Sequence, residues 1–379
     1  MKIRIVIFTG NRSEYGLMKT LIGKINKDLD FDLFLIASGT HFNSNFGETI
    51  NEIFEDFEER NKIISIKNEY EEVDEMGFKT AEIIRSVTSV LKKIKPEYFV
   101  VLGDRYESFR AASAAHILGI KNVHLHGGET SLGAIDEKLR HAISQLSCFH
   151  FTSAEPHKKK VESMVGTSSN VYNIGPLVLD GLENLKIISK KEFEMKTGFV
   201  FSNINVLVTF HPETLSKDFG ISGFKNLLNV LDKFDCSILF TAPNPDNGYK
   251  MIIENIKSSI KKNPKKYLYI PSLGHDMYLN ALHFFDFVIG NSSSGIIEAP
   301  LLKTTVLNIG DRQKGRYRFG PVIDVVNDFD SISEAVAKMF KSLNKNPRDS
   351  LTDLKDLKFK DSPSNQIINI LKKYSSSLS

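Results

Sequence analysis

One unit recurs along the chain: a short, almost unbroken apolar run, a polar turn carrying glycine, and then a stretch with helical spacing. The runs fall at Ile3 to Phe8, Phe34 to Ala37, Tyr98 to Leu102, Val123 to Leu125 and Phe149 to Thr152. They resume at Val206 to Phe210, Ile238 to Phe240, Tyr267 to Ile270, Phe287 to Ile289 and Val306 to Ile309. A strand with one wet face alternates apolar and polar residues, so runs without alternation belong to a parallel sheet covered on both faces by crossover helices. The series occurs twice, which predicts two α/β domains, each a Rossmann-like, doubly wound parallel sheet. With 379 residues there is chain enough for two cores. Helical patterns over Asp180 to Leu185 and Lys190 to Thr197 separate the two series. The predicted boundary lies near Gly175 and Pro176, giving domains 1–175 and 176–358 and a last helix over Asn365 to Tyr374 within 359–379. Two such domains facing each other would line a cleft with their strand C-terminal ends, where sheets of this kind place ligands.

Composition narrows the function. Hydrophobic residues at 41% and charged residues at 25% are ordinary globular values, which excludes disordered, collagen-like and disulfide-scaffold classes. Lys plus Arg at 49 against Asp plus Glu at 46 leaves +3, too little to attract duplex nucleic acid or an anionic membrane, so neither is expected as a partner. Any phosphate recognition has to be local. No apolar stretch approaches the roughly 20 residues of a membrane span, and the expected location is the cytoplasm. Cys148 and Cys236 belong to no C-x-x-C pair, fit a reducing compartment and are expected as buried apolar residues.

Chemistry concentrates in the turns. After the first run comes Gly10-Asn11-Arg12-Ser13-Glu14-Tyr15-Gly16, where Gly10 permits a tight turn and Arg12 at a helix start suits a phosphate. The third run ends in Gly103-Asp104-Arg105-Tyr106-Glu107, which is an acid beside a base, or else a helix cap by Asp104 with a solvated Arg105. The fourth leads into His124-Leu125-His126-Gly127-Gly128-Glu129, then Asp136-Glu137 and Arg140-His141. Histidines two apart on a strand share a face, so one can reach a ligand. His124, His126, Glu129 and Asp136 could hold a metal, but neither H-E-x-x-H nor a Cys/His spacing is present and no metal is expected.

In the second half, His211-Pro212-Glu213-Thr214 places at a strand end a general acid, base or phosphate donor, or a turn histidine without a ligand. The loop Thr241 to Gly248, with Asn244, offers amides to a base or sugar. Gly290-Asn291-Ser292-Ser293-Ser294-Gly295 ends a strand and is expected to open a helix carrying Glu298. Backbone N–H groups, hydroxyls and a helix dipole there meet the requirements of a diphosphate cradle, and Glu298 could accept from a ribose diol. G-x-x-x-x-G-K-[ST] is absent, so this is not a P-loop. Arg312, Lys314, Arg316 and Arg318 follow the next run as a phosphate clamp or a solvated charge run. Acids and histidines in one domain with a diphosphate site in the other imply a nucleotide-sugar enzyme.

The order G-N-R-S-E-Y-G, G-D-R-Y-E, H-G-G-E with I-D-E-K-L-R-H, F-H-P-E-T, G-N-S-S-S-G and I-G-D-R-Q-K-G-R resembles the hydrolysing UDP-N-acetylglucosamine 2-epimerases from about residue 1 to about residue 325. The resemblance implies the two-domain GT-B fold, a C-terminal helix that crosses back to the first domain, a homodimer or homotetramer, no cofactor and a bacterial source. It implies loss of nucleoside diphosphate from C1 with loss of the C2 proton, giving a 2-acetamidoglycal to which water adds. It assigns catalysis to Asp104, Asp136 and His211, and nucleotide contacts to Arg12, Arg105, His211, Asn244, Ser292, Ser293, Glu298 and Arg312, with Ser294 and Gly295 completing the cradle. Many members have Glu where this chain has His126; that acid-base role passes to Glu129, with His126 as the alternative proton carrier. The expected substrate is UDP-N-acetylglucosamine and the product free N-acetylmannosamine, for sialic acid. The alternative is a UDP- or GDP-linked 2,4-diacetamido-2,4,6-trideoxyglucose feeding legionaminic acid. More distant readings are a GT-B glycosyltransferase, a nucleotide-sugar binder without turnover, and the non-hydrolysing epimerases, which read H-V-E-A-G where this chain reads His124-Leu125-His126-Gly127-Gly128.

Overall fold

The computed structural model describes residues 2–57, 59–67, 76–130, 136–183, 185–343 and 361–376. The chain divides into two compact units: Met1–Glu129, Asp136–Asn184 and Lys358–Ser379 in one, and Thr130–Ile135 with Leu185–Leu357 in the other. The first unit carries strands β1 (Ile3–Thr9), β2 (Phe31–Ser38), β3 (Ile63–Ile66), β4 (Tyr98–Leu102), β5 (Lys121–Leu125), β6 (Phe149–Thr152) and β7 (Val171–Asn173). The second carries β8 (Asn205–Thr209), β9 (Ser237–Thr241), β10 (Tyr267–Ile270), β11 (Phe287–Gly290), β12 (Thr305–Ile309) and β13 (Ile323–Val325). The helices of the first unit are α1 (Arg12–Lys27), α2 (Ile50–Asp56), α3 (Met76–Ile94), α4 (Tyr106–Ile117), α5 (Asp136–Gln145), α6 (Glu155–Val165) and α7 (Val178–Glu183). Those of the second are α8 (Lys190–Thr197), α9 (Ile221–Leu231), α10 (Tyr249–Lys262), α11 (His275–Phe284), α12 (Glu298–Leu301) and α13 (Phe329–Leu343); α14 (Pro363–Lys373) returns to the first.

All strand pairings are parallel, in the orders β3-β2-β1-β4-β5-β6-β7 and β10-β9-β8-β11-β12-β13. The strand order therefore reverses between β1 and β4 in the first sheet and between β8 and β11 in the second. At such a reversal the connections leave to opposite sides and a crevice opens at the strand C-terminal ends. The turns flanking these two reversals contain Gly10 to Arg12, Gly103 to Arg105, His211, and Asn291 to Ser293.

β1 shows why apolar runs make such sheets. Ile3, Ile5 and Ile7 pack on one face with Tyr98, Val100 and Leu102, while Val6 and Phe8 pack on the other with Phe99, Val101 and Ala111. Each such side chain contributes about 1.5 to 3 kcal/mol by burial. Three strands escaped the sequence reading, β3, β7 and β13, and all three are sheet edges. Each has four residues or fewer and includes a polar residue, Ser65, Asn173 or Asp324, so none carries an unbroken apolar run.

The change of unit comes after residue 184 instead of at Gly175 and Pro176, because α7 packs on α1 and α14. Ser362 caps α14 and Pro363 occupies its first turn, two residues before the expected start at Asn365. Lys24 Nζ donates to Ser362 Oγ at 2.7 Å and Asn365 Oδ1 at 2.8 Å, the Ser364 amide donates to Asp180 at 2.9 Å, and Ile367, Ile368 and Leu371 join the core under β1 and β4. Cys236 is buried, but Cys148 is exposed, in the turn entering β6. Among the described residues no helix is long and apolar enough to cross a membrane.

Candidate active site

In the first unit the polar residues assemble around Arg140. Asp136 opens α5, and Arg140 lies four residues on, so both occupy one helix face. Arg140 is 1% exposed; its Nη2 donates to Asp104 Oδ2, and its Nη1 donates to the His126 carbonyl at 3.0 Å and lies 3.5 Å from Glu129 Oε2. Glu129 is buried, and its Oε1 accepts from the Ser153 hydroxyl at 2.8 Å and lies 3.4 Å from His126 Nδ1. One cation thus joins the turn after β4 to the turn after β5. Burial of these carboxylates is tolerable only because Arg140 compensates their charge.

The two histidines have separate tasks. β5 ends at Leu125 and His126 has φ +59, so strand alternation stops before it and the two rings do not share a face by that rule. His124 is wholly buried; its Nε2 lies 2.7 Å from the Gly103 carbonyl and its Nδ1 3.0 Å from Ser144 Oγ. Burial pushes its pKa down to about 3, so the ring is neutral. It anchors the turn that presents Asp104, and with both nitrogens engaged it is unavailable to a metal. His126 Nε2 accepts from the Leu177 amide at 3.2 Å, which in the neutral ring puts the proton on Nδ1, facing Glu129. The structure therefore brings His126 and Glu129 together, with the histidine behind the carboxylate.

A second acidic pair lies beneath Asp104. Glu14 points inward from α1, its Oε2 accepting from the Gly10 amide at 2.7 Å and its Oε1 from Ser108 at 3.3 Å. Glu107 is 1% exposed and lies 3.6 Å from Arg105 Nε. Burial, then repulsion from Glu107, pushes the Glu14 pKa up to about 8, against the opposing pull of the Gly10 amide and Arg105. Gly10 has no left-handed φ. Its requirement is space, since a Cβ there would sit 3.0 Å from Glu107 Cβ. Arg105 caps α4 by its backbone and is buried, which disposes of the reading with an Asp104 cap and a solvated arginine. Arg12, half-buried, starts α1.

In the second unit Asn291 is the hub. Its Oδ1 accepts from the His211 amide at 2.6 Å, its Nδ2 donates to the His211 carbonyl at 2.8 Å, and its own carbonyl accepts from Arg312 at 3.1 Å and Gln313 at 2.8 Å. His211 Nδ1 accepts from the Asn244 amide at 2.9 Å, so the neutral ring carries its proton on Nε2. Gly290 makes the closeness possible: φ is +147, and a Cβ would lie 2.1 Å from the Thr209 carbonyl. The expected helix carrying Glu298 is present but short and does not open directly from this turn. A 3-10 turn, Ser293–Gly295, precedes the four-residue α12, which Glu298 begins, so little helix dipole is available. Ser292, Ser293, Glu298 and Arg312 are half-buried. Ser294 is committed elsewhere, its hydroxyl paired with Tyr278 and lying 3.2 Å from Ser292 Oγ. Gly295 packs on Val306, 3.1 Å from where its Cβ would be.

The sequence profile of the UDP-N-acetylglucosamine 2-epimerases matches residues 23–372. The chain belongs to that family. It is similar to a Campylobacter jejuni GDP/UDP-N,N'-diacetylbacillosamine 2-epimerase (hydrolyzing), 37% identical over 346 residues, covering 90% of this chain and 89% of the relative. It is also similar to the polysialic acid biosynthesis protein P7 of Escherichia coli, 35% identical over 324 residues and covering 85% and 82% of the two chains. Among solved structures, the UDP-GlcNAc 2-epimerase of Methanocaldococcus jannaschii in complex with UDP-GlcNAc and UDP superposes with a TM-score of 0.77 at 19% identity, covering 98% of this chain and 99% of that one. The fold of the family is GT-B-like, and its members are enzymes of nucleotide sugars.

Among these candidate site residues, the sequence reading passed over the contacts of Arg140, Asn291, Gln313 and Glu14, although all four stand inside the quoted motifs. The i,i+4 spacing of Asp136 and Arg140 was the available signal for the first. Asn291 and Gln313 act through backbone groups, which no side-chain pattern announces.

Proposed function

We propose that the chain is a hydrolysing 2-epimerase acting on nucleotide-linked 2,4-diacetamido-2,4,6-trideoxyglucose, releasing nucleoside diphosphate and the free C2 epimer. The Arg140 cluster carries the reading: Asp104 and Glu129, on adjacent turns, share one buried cation with Asp136 one helical turn away. Carboxylates so held keep their position, as proton carriers at a sugar carbon require. The C2 proton has no carbonyl to acidify it, so departure of the diphosphate must lead and C1 must gain positive charge first. Stabilising the leaving group is then the main electrostatic task. Arg312, Ser292, Ser293 and the His211 Nε2 proton take that role, with Glu298 on the ribose. Water next adds to the glycal: hydroxide joins C1 and a proton joins C2 from the other face. Asp104, Glu129 and Asp136 divide the two proton transfers. The balance is nucleotide sugar plus water to nucleoside diphosphate plus epimer.

The name of the Campylobacter relative supports both the diacetamido sugar and hydrolysis. UDP-N-acetylglucosamine is the second reading, favoured by the family's description and by the polysialic acid relative. Each sugar nucleotide is incubated with the protein in D2O and the products are read by NMR. Free epimer deuterated at C2, with free UDP or GDP, is the expected result, and the faster substrate decides the sugar. An epimer still on its nucleotide, or a released sugar without C2 deuterium, refutes the hydrolysing epimerase.

A further inference from the structure

Behind Glu129 a chain of polar groups continues away from Arg140, through residues that neither the motifs nor the proposed mechanism uses. Ser153 stands just past the end of β6, and its hydroxyl lies 2.8 Å from Glu129 Oε1 and 2.9 Å from His157 Nδ1. His157 is on the first turn of α6, and both residues are buried. A hydroxyl has one proton to give. Directed to the carboxylate, it leaves the Ser153 oxygen to accept from His157, which fixes the His157 proton on Nδ1. The backbone fastens the same elements together: Gly128 has φ +79, and a Cβ there would sit 2.3 Å from the His157 carbonyl and 2.9 Å from Val161 Cγ2. The turn bearing Glu129 is therefore pressed onto the first turn of α6.

We infer that Ser153 and His157 are positioning residues that hold the Glu129 carboxylate in one rotamer and favour its ionised form during turnover. The inference rests on the reading of Glu129 as a proton carrier. The charged and titratable groups facing Glu129 are Arg140 from α5, His126 from its own turn, His157 through Ser153, and Asp104 through Arg140. Arg140 supplies charge, its Nη1 lying 3.5 Å from Oε2, whereas the Ser153 hydroxyl makes the shortest of these contacts to the carboxylate. Losing it removes a donor that prefers the charged form, so Glu129 would take its proton at higher pH.

The test uses the full-length protein with the sugar nucleotide it turns over, measuring kcat, KM and the pH profile for Ser153→Ala, His157→Leu, His157→Asn and Glu129→Gln. Asn can present an N–H where Nδ1 stood, and Leu cannot. The expected result is kcat lower by about 10- to 100-fold in Ser153→Ala and His157→Leu with KM within about 3-fold. The acidic limb should move up by about half to one pH unit, and His157→Asn should return kcat to within about 3-fold. Unchanged kcat and pH profile in Ser153→Ala and His157→Leu, beside an inactive Glu129→Gln, overturns the inference alone. A fully active Glu129→Gln removes Glu129 from the chemistry and the inference with it. Parallel losses of kcat, UDP affinity and melting temperature, with no recovery in His157→Asn, mark the pair as structural only and also overturn it.

Discussion

Replacing Glu14 by Gln isolates the cost of the buried acidic pair. Glu14 is 3% exposed beside Glu107, and the fold holds its proton up to about pH 8 against 4.5 for the ordinary carboxyl. A carboxyl whose folded pKa is raised contributes stability that is fully present below the unfolded value and is lost as pH rises through the folded one. At about 1.4 kcal/mol per pH unit, the loss is about 3 kcal/mol by pH 7 and levels near 5 kcal/mol above pH 8. Gln reproduces the protonated form: its oxygen can keep the Gly10 amide at 2.7 Å, and its NH2 can face Ser108 and Glu107. Urea denaturation of the two proteins side by side from pH 5 to pH 9 cancels every other titrating group. The two should agree within about 1 kcal/mol at pH 5, and Glu14→Gln should be the more stable by several kcal/mol at pH 8.5. A constant difference across that range, or a variant less stable at pH 8.5, refutes the reasoning.

Three further outcomes follow from the same geometry. Arg140→Met leaves Asp104 and Glu129 without their buried cation, so stability should fall by about 3 to 5 kcal/mol, or roughly 10 °C in melting temperature, and turnover by at least about 10²-fold; a melting temperature within about 2 °C of the parent counts against the cluster. Gly290→Ala puts a Cβ 2.1 Å from the Thr209 carbonyl at a φ of +147, and should destabilise the second unit by about 3 kcal/mol or more and weaken UDP binding measured by calorimetry. Asp104→Asn should keep UDP affinity within a few fold while turnover drops about 10²-fold, whereas Arg312→Ala and Ser293→Ala should weaken UDP binding about 10-fold with the cluster intact; the reverse pattern would exchange the roles of the two units.

The parallel architecture was legible because central strands are buried on both faces and so must be apolar over most of their length: β1, β4, β8 and β11 could hardly be read otherwise. Edge strands escape this constraint, and β3, with its burial broken in the middle, reads as loop. The site positions were legible for a related reason. Turns at the two strand-order reversals carry polar residues that a buried sheet end would otherwise not tolerate, so Asp104, His211 and the Gly290 to Gly295 turn stand out against their surroundings. Their partners do not. Arg140 lies in a helix that reads as an ordinary charged one, and only the fold reveals that its guanidinium is buried. His126 and Glu129 were adjacent in the motif, but which of them backs the other depends on the Leu177 amide, 51 residues away.

The return of α14 to the first unit reverses the order in which the chain can finish folding. Most of the second unit is one stretch of chain, Leu185–Leu357, while the first needs Ile367, Ile368 and Leu371 to close its core. At a synthesis rate of about 5 to 20 residues per second, roughly 10 to 35 seconds separate the last residue of α7 from the first of α14. During that interval the apolar side chains of the first unit that Ile367, Ile368 and Leu371 cover have not met these partners, so the unit made first is completed last.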